Sequence, residues 1–192
     1  MAAEALALLR EAGALLEGHF QLRSGKHSPV YVEKFRALER PQYAEKLCRL
    51  IAERFRDENI EVVAGPTTGG IIVSYEVSRQ LGQLNQRGQV VVSVFAEKEE
   101  TGERRFRRGF DVRGRRVLVV DDVLTAGGSV GEVIAAVREG GGEVAGVGVL
   151  VDRGGGKVDL GVPFFACLTL DLPAYEASDC PQCARREPLT VT

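Results

Sequence analysis

The sequence predicts an α/β fold: a mostly parallel sheet flanked by helices, with a small N-terminal hood. Three observations predict it. Short aliphatic runs of strand length alternate with longer stretches whose apolar residues recur at helical spacing. Twice, at 61–81 and 117–139, such a run leads through a glycine-rich loop directly into a helix. The length, 192 residues with 44% hydrophobic and 27% charged, fits one domain spanning 1–192 with a substantial core.

Taken in order, residues 2–17 carry apolar side chains at 5, 6, 8, 9, 12, 15 and 16, which predicts an amphipathic helix stopped by Gly18. Residues 19–34 alternate around a glycine-centred turn and read as a hairpin; with the helix they assign 1–36 to the hood. A long helix over 41–57 starts on a proline and turns Ala44, Leu47, Cys48, Leu50, Ile51 and Phe55 to the core. Then come a buried strand at 61–65, the loop Pro66-Thr67-Thr68-Gly69-Gly70, an apolar helix at 71–81 and a strand at 90–95. Residues 96–109 are too charged for core and read as an exposed ribbon or a mobile loop able to act as a lid. The aliphatic run from Val117 makes a strand buried on both faces, followed by a helix at 130–139. Gly140 to Gly142 end that helix, strands follow at 143–151 and 162–170, and 172–192 read as a partly ordered tail.

Two loops carry the chemistry. Residues 125–129 sit at a helix N-terminus, where free backbone N–H groups and the positive end of the helix dipole favour an anion such as phosphate. Gly127 and Gly128 allow close backbone approach, and Thr125 and Ser129 add hydroxyl donors. Just before them stand Asp121 and Asp122, adjacent like charges that call for something to bridge them, such as a ribose diol or a hydrated cation. The loop at 66–70 repeats this logic and suits pyrophosphate. Arg153, at the C-terminal end of the 143–151 strand, can point into the same crevice. A bidentate contact from it to a carboxylate contributes about 1.5–3 kcal/mol.

Composition excludes other classes. No apolar run approaches the ~18 residues of a membrane span, and the first thirty residues lack the basic-then-apolar order of a secretion signal, so a cytoplasmic protein is expected. A net charge of −2 argues against general attraction to nucleic acid. No Walker A loop, dinucleotide fingerprint or internal repeat is present. Of four cysteines, Cys48 and Cys167 read as core. Cys180 and Cys183 have the spacing of a zinc half-site, but no histidine lies nearby in sequence to complete four ligands, so a mobile tail or reducible pair is the expectation.

The stretch Val-Leu-Val-Val-Asp-Asp-Val-Leu-Thr-Ala-Gly-Gly-Ser-Val at 117–130 closely resembles the phosphoribosyl-pyrophosphate (PRPP) motif of the type I phosphoribosyltransferases. The resemblance implies that family's fold. It also implies a PRPP site made by Asp121, Asp122, Val123, Leu124, Thr125, Ala126, Gly127, Gly128 and Ser129, with the two carboxylates on the ribose hydroxyls and 125–129 on the 5-phosphate. The pattern Phe-x-Leu-Arg-Ser-Gly-Lys-His-Ser-Pro-x-Tyr at 20–31 is similar to the N-terminal signature of orotate phosphoribosyltransferases. What that family implies is transfer of the phosphoribosyl group of PRPP to orotate, giving orotidine 5′-phosphate and pyrophosphate in de novo pyrimidine biosynthesis. Arg23 would then reach PRPP, and Tyr31, Val32, Lys34, Thr125 and Arg153 would border orotate. Lys98, in the mobile loop, would be catalytic beside Asp121 and Asp122.

The family further implies Mg²⁺, held mainly by PRPP and water rather than by a protein metal site, and a homodimer in which loop 96–109 covers the partner's site. Any of Arg104, Arg105, Arg107 or Arg108 could meet the pyrophosphate. Glu97 and Gly69 stand where many family members carry basic residues. The nearest alternatives are a purine-type phosphoribosyltransferase, against which the hairpin signature and Arg153 count, and a non-catalytic regulator on the PRPP fold.

Overall fold

A computed structural model describes residues 1–22, 24–84 and 90–192; Arg23 lies outside the described residues. Its centre is a six-stranded sheet in the order β5-β4-β3-β6-β7-β8, formed by β3 (Val62–Pro66), β4 (Val92–Lys98), β5 (Arg104–Phe106), β6 (Arg116–Leu124), β7 (Glu143–Asp152) and β8 (Phe164–Thr169). Every pairing is parallel except β4 with β5. Strand alternation divides the core. Leu118 and Val120 of β6 join Ala37 and Leu38 of the single-turn α2 (Phe35–Leu38), Leu47, Cys48 and Ile51 of α3 (Pro41–Arg54) and Val73 and Val77 of α4 (Gly69–Leu84), whereas Val117 and Val119 join Val130, Val133, Ile134 and Val137 of α5 (Gly128–Glu139). Buried on both faces, β6 can be continuously aliphatic, as expected. Cys48 and Cys167 are core residues.

The hood is a second, three-stranded sheet in the order β2-β1-β9, from β1 (Leu15–Gln21), β2 (His27–Val32) and β9 (Thr190–Val191). The hairpin is present, but the first helix is shorter than its apolar spacing predicts: α1 runs Ala2–Glu11. Gly13, not Gly18, stops it. Its φ of +68° lets the N–H groups of Gly13 and Ala14 turn back to the carbonyls of Arg10 and Leu9, both within 2.9 Å. Leu15 and Leu16, which extend the helical spacing, instead begin β1.

A bulge in β1 has consequences at the other end of the chain. Glu17 faces Val30 and Phe20 faces Ser28, so Gly18 and His19 together oppose Pro29 alone, a residue with no N–H to offer a ladder. His19 and Phe20 are therefore both buried, which strict alternation forbids. The tail is folded against this hairpin. A short turn at Ala177–Asp179 and the single-turn α6 (Pro181–Ala184) lead to β9, and Tyr175 exchanges two backbone hydrogen bonds of 2.8 Å with His27. Contrary to the sequence expectation, two histidines do meet the cysteine pair, because the bulge turns His19, beside His27, toward Cys180 and Cys183.

The charged stretch 96–109 is a β-ribbon, the C-terminal part of β4 pairing antiparallel with β5. Among the described residues no helix is long and apolar enough to cross a membrane.

Candidate active site

A cavity of about 660 Å³ opens between hood and sheet. The hood contributes Leu22, Ser24, Ser28, Tyr31, Val32 and Lys34; the end of β6 contributes Val123, the loop after it Thr125 and Ala126, and the first turn of α5 Ser129; Arg153 directly follows β7. Tail residues Leu172, Pro173, Ala174 and Thr192 close the wall. No local sequence pattern marks these four as site residues; their placement depends on the tail docking on the hairpin.

At the phosphate-type loop, β6 ends at Leu124 and Gly127 caps α5 with a left-handed φ of +83°. A side chain at Gly127 would also press on Val158, 2.9 Å from the Cβ position. Gly128 opens the helix with no atom within 4 Å of its Cβ position, and Thr125, Ala126 and Ser129 are exposed, leaving the helix N-terminus accessible to an anion. Leu124 itself is buried.

The two carboxylates lie within β6 rather than at its end, and both are buried. Burial first, and the charge of Asp122 second, push the Asp121 carboxyl up to about 7, while the Asp122 N–H, donating to Asp121 Oδ1 at 2.8 Å, opposes the shift. Asp122 is held otherwise. Lys34 Nζ lies 2.9 Å from each of its oxygens, and the Val123 N–H donates to Oδ1 at 2.6 Å. Lys34 thus spans from the cavity wall to Asp122, a contact its expected place near orotate did not anticipate. Oδ2 is in ion-pair range of Lys34 without a well-directed hydrogen bond.

Asp122 also explains the second loop. A Cβ on Gly69 would collide with the Asp122 carboxylate, so the space a side chain would take at this position is filled by the carboxylate. The loop follows β3, contains a cis Thr67–Thr68 peptide and is tied to the ribbon by Arg104, which donates from Nη1 to Thr67 Oγ1 at 3.0 Å and to the Ala96 carbonyl at 3.2 Å. Arg104 Nε lies 3.1 Å from Glu132 of α5. Buried and committed to three elements, Arg104 joins the ribbon to the sheet rather than standing free for a ligand. The other ribbon arginines are exposed and paired: Arg105 with Glu103, Arg107 with Glu99, and Arg108 with Glu97. Lys98 is exposed at the end of β4, has no ion-pair partner among the described residues, and is not part of the cavity wall in its own chain.

Arg153 is set by its neighbours. Asp152, fully buried, accepts the Gly154 and Gly156 N–H groups at 2.7 Å each, curling the loop, while the Arg153 N–H donates to the Leu124 carbonyl at 2.8 Å. Burial lowers the guanidinium's proton affinity, opposed by Tyr31. Its Nε is buried with no hydrogen-bond partner among the described residues, an orphaned donor beside the cavity.

Comparison with known proteins matches residues 36–179 to the phosphoribosyl transferase domain family. The chain is 51% identical over 186 residues to the orotate phosphoribosyltransferase of Pelotomaculum thermopropionicum, covering 96% of this chain and 93% of that one. To the orotate phosphoribosyltransferase of Thermotoga maritima it is 47% identical over 182 residues, covering 94% and 92%. Among solved structures it is similar to the Mycobacterium tuberculosis orotate phosphoribosyltransferase in complex with inorganic phosphate, with a TM-score of 0.71, 28% identity and coverage of 88% and 95%.

Proposed function

This chain belongs to the orotate phosphoribosyltransferase family, and from that premise and the geometry above we propose that it transfers the phosphoribosyl group of PRPP to orotate, giving orotidine 5′-phosphate and pyrophosphate in de novo pyrimidine biosynthesis. The observation that carries the acceptor is Arg153, whose buried Nε, unpartnered among the described residues and beside the cavity, suits the carboxylate that distinguishes orotate from uracil. Tyr31, Val32 and Thr125 line the same cavity.

The donor lies across the cavity. The 5-phosphate takes the exposed N–H and hydroxyl groups of 125–129, extended by Val123 and Leu124, and the ribose hydroxyls take Asp121 and Asp122. The C1–pyrophosphate bond breaks ahead of attack, its electron pair leaving with pyrophosphate; orotate N1 supplies the pair for the new bond and gives up its proton to the departing pyrophosphate or to solvent. A cation-like ribose between these steps is stabilised by Asp122 and by ionised Asp121, so catalysis is chiefly electrostatic and positional. Lys34 neutralises Asp122 before the ribose arrives.

Mg²⁺ belongs in this reading, bound mainly by PRPP and water. The hard oxygen donors Asp121 and Asp122, the latter with an oxygen lacking a hydrogen bond among the described residues, fit such a cation's outer contacts. When bound it supplies charge neutralisation for the departing pyrophosphate.

The working unit in this proposal is a homodimer in which ribbon 96–109 covers the partner's cavity. Lys98 has no ion-pair partner among the described residues and is not among the residues lining its own cavity, and exposed Ile72 and Tyr75 line an apolar groove of about 330 Å³, a face suited to a second copy. Four free cysteines and a phosphorylated substrate fit a reducing cytoplasm.

The direct test follows the ultraviolet absorbance of orotate after adding protein, PRPP and Mg²⁺. Loss of the orotate spectrum is expected; an unchanged spectrum with turnover of hypoxanthine or adenine would sink the assignment.

A further inference from the structure

We propose that His19, His27, Cys180 and Cys183 form a structural zinc site that pins the C-terminal segment onto the hood. The four side chains come from β1, β2 and the start of α6, and their ligand atoms all lie within 4.8 Å of one another. A tetrahedral zinc with two imidazoles and two thiolates requires about 3.3 Å between its nitrogens, about 3.6 Å between nitrogen and sulfur, and about 3.8 Å between its sulfurs. Here His19 Nε2 and His27 Nδ1 are 3.0 Å apart, Cys180 Sγ is 3.5 Å from His19 Nε2, and Cys183 Sγ is 3.7 Å from His19 Nε2 and 3.2 Å from His27 Nδ1. A shift of a few tenths of an ångström opens this set around an ion.

The surroundings are those of a ligand set. His19 Nδ1 lies 3.0 Å from the Glu187 carbonyl, an arrangement that places the proton on Nδ1 and the Nε2 lone pair inside the cluster. Gln182, between the two cysteines, donates to the Gly18 carbonyl at 3.0 Å and to Glu187 at 2.8 Å, holding α6 against the bulge that aims His19. His19, His27 and Cys180 are buried, and Cys183 is half-buried, leaving a way in. Two thiols and two imidazoles select zinc over Mg²⁺ or Ca²⁺, and four protein ligands leave no open position, the mark of a structural rather than catalytic site. Both thiols bind as thiolates, and their protons go to solvent.

The site matters to the cavity because His27 adjoins Ser28 and pairs with Tyr175, next to Ala174; Ser28 and Ala174 are both cavity wall.

The test uses the full untagged chain purified without chelator. Elemental analysis is expected to find about one zinc per chain. Reduced, metal-free protein should take up Co²⁺ with the intense visible bands of a tetrahedral thiolate site, and restoring zinc at about a thousand times its dissociation constant should raise Tm by about 8–16 °C. Cys183→Ser should lose the zinc, and His27→Cys, which keeps four ligands, should retain it. If the variants do not fold, the wild-type cobalt spectrum decides. Failure of the reduced protein to bind zinc or cobalt, iron in place of zinc, or a Cys180–Cys183 disulfide with no metal uptake after reduction would overturn the proposal. None of these readouts depends on activity.

Discussion

Replacing Asp121 with asparagine separates what this carboxylate costs the fold from what it contributes to the reaction. Unfolded, the carboxyl ionises near 3.8; folded, burial and Asp122 hold its proton to about 7. Ionisation between those values therefore favours the unfolded chain, and stability falls as pH rises through that window. The shift of about 3 units corresponds to about 4 kcal/mol once pH exceeds 7, is nearly absent at pH 3, and grows by about 2–3 kcal/mol between pH 5 and pH 8. The Asp121→Asn variant would carry no such penalty, and its amide oxygen could still accept the Asp122 N–H that now donates at 2.8 Å. Urea unfolding of both proteins at pH 5 and pH 8 measures the difference. The margin of Asp121→Asn over wild type should widen by about 2–3 kcal/mol at the higher pH, while orotate turnover at pH 8 falls by about 100-fold through loss of transition-state charge stabilisation. An unchanged margin at the two pH values would refute the assignment of a raised proton affinity to Asp121.

Three further substitutions probe the site. Arg153→Ala should raise the KM for orotate by about 10- to 100-fold and leave that for PRPP nearly unchanged, as measured by initial rates with each substrate varied; equal losses would remove its carboxylate role. Gly69→Ala places a methyl where the Asp122 carboxylate sits, so kcat/KM should drop by about 100-fold through displacement of that carboxylate, and activity near wild type would show that Asp122 can move without cost. Lys34→Met leaves buried Asp122 without its cation and should lower unfolding free energy at pH 8 by about 1–3 kcal/mol in urea titration; a gain in stability would contradict the ion pair's structural part.

How much of this was legible in the chain differs by element. The central strand and its loop were readable because both signals are local: an aliphatic run long enough for β6, and small residues where Gly127 must take a positive φ. The last strands and α5 were readable for the same reason. The first helix ends earlier than its apolar spacing predicts because Leu15 and Leu16 fit either a helical stripe or a strand, and only the turn at Gly13 decides between them. The tail gave no periodic signal at all. Its order comes from pairing with β1 and His27, contacts made across most of the chain's length. The ribbon was recognised as exposed, yet its arginines could not be sorted, since Arg104 differs from Arg105 only in which side of β5 it occupies.

The alternating α/β order, the anion-binding loop at 125–129, the adjacent carboxylates and an arginine at the end of β7 are all encoded within a few residues of one another. Tertiary packing alone brings Asp122 to Lys34, pushes the Asp121 carboxyl up to about 7, gives the side-chain space of Gly69 to Asp122, and joins His19 to Cys180 across 161 positions. What separates the two groups is range. Backbone preference and periodicity act over a few residues, whereas burial, charge pairing and ligand geometry depend on what folding brings from elsewhere.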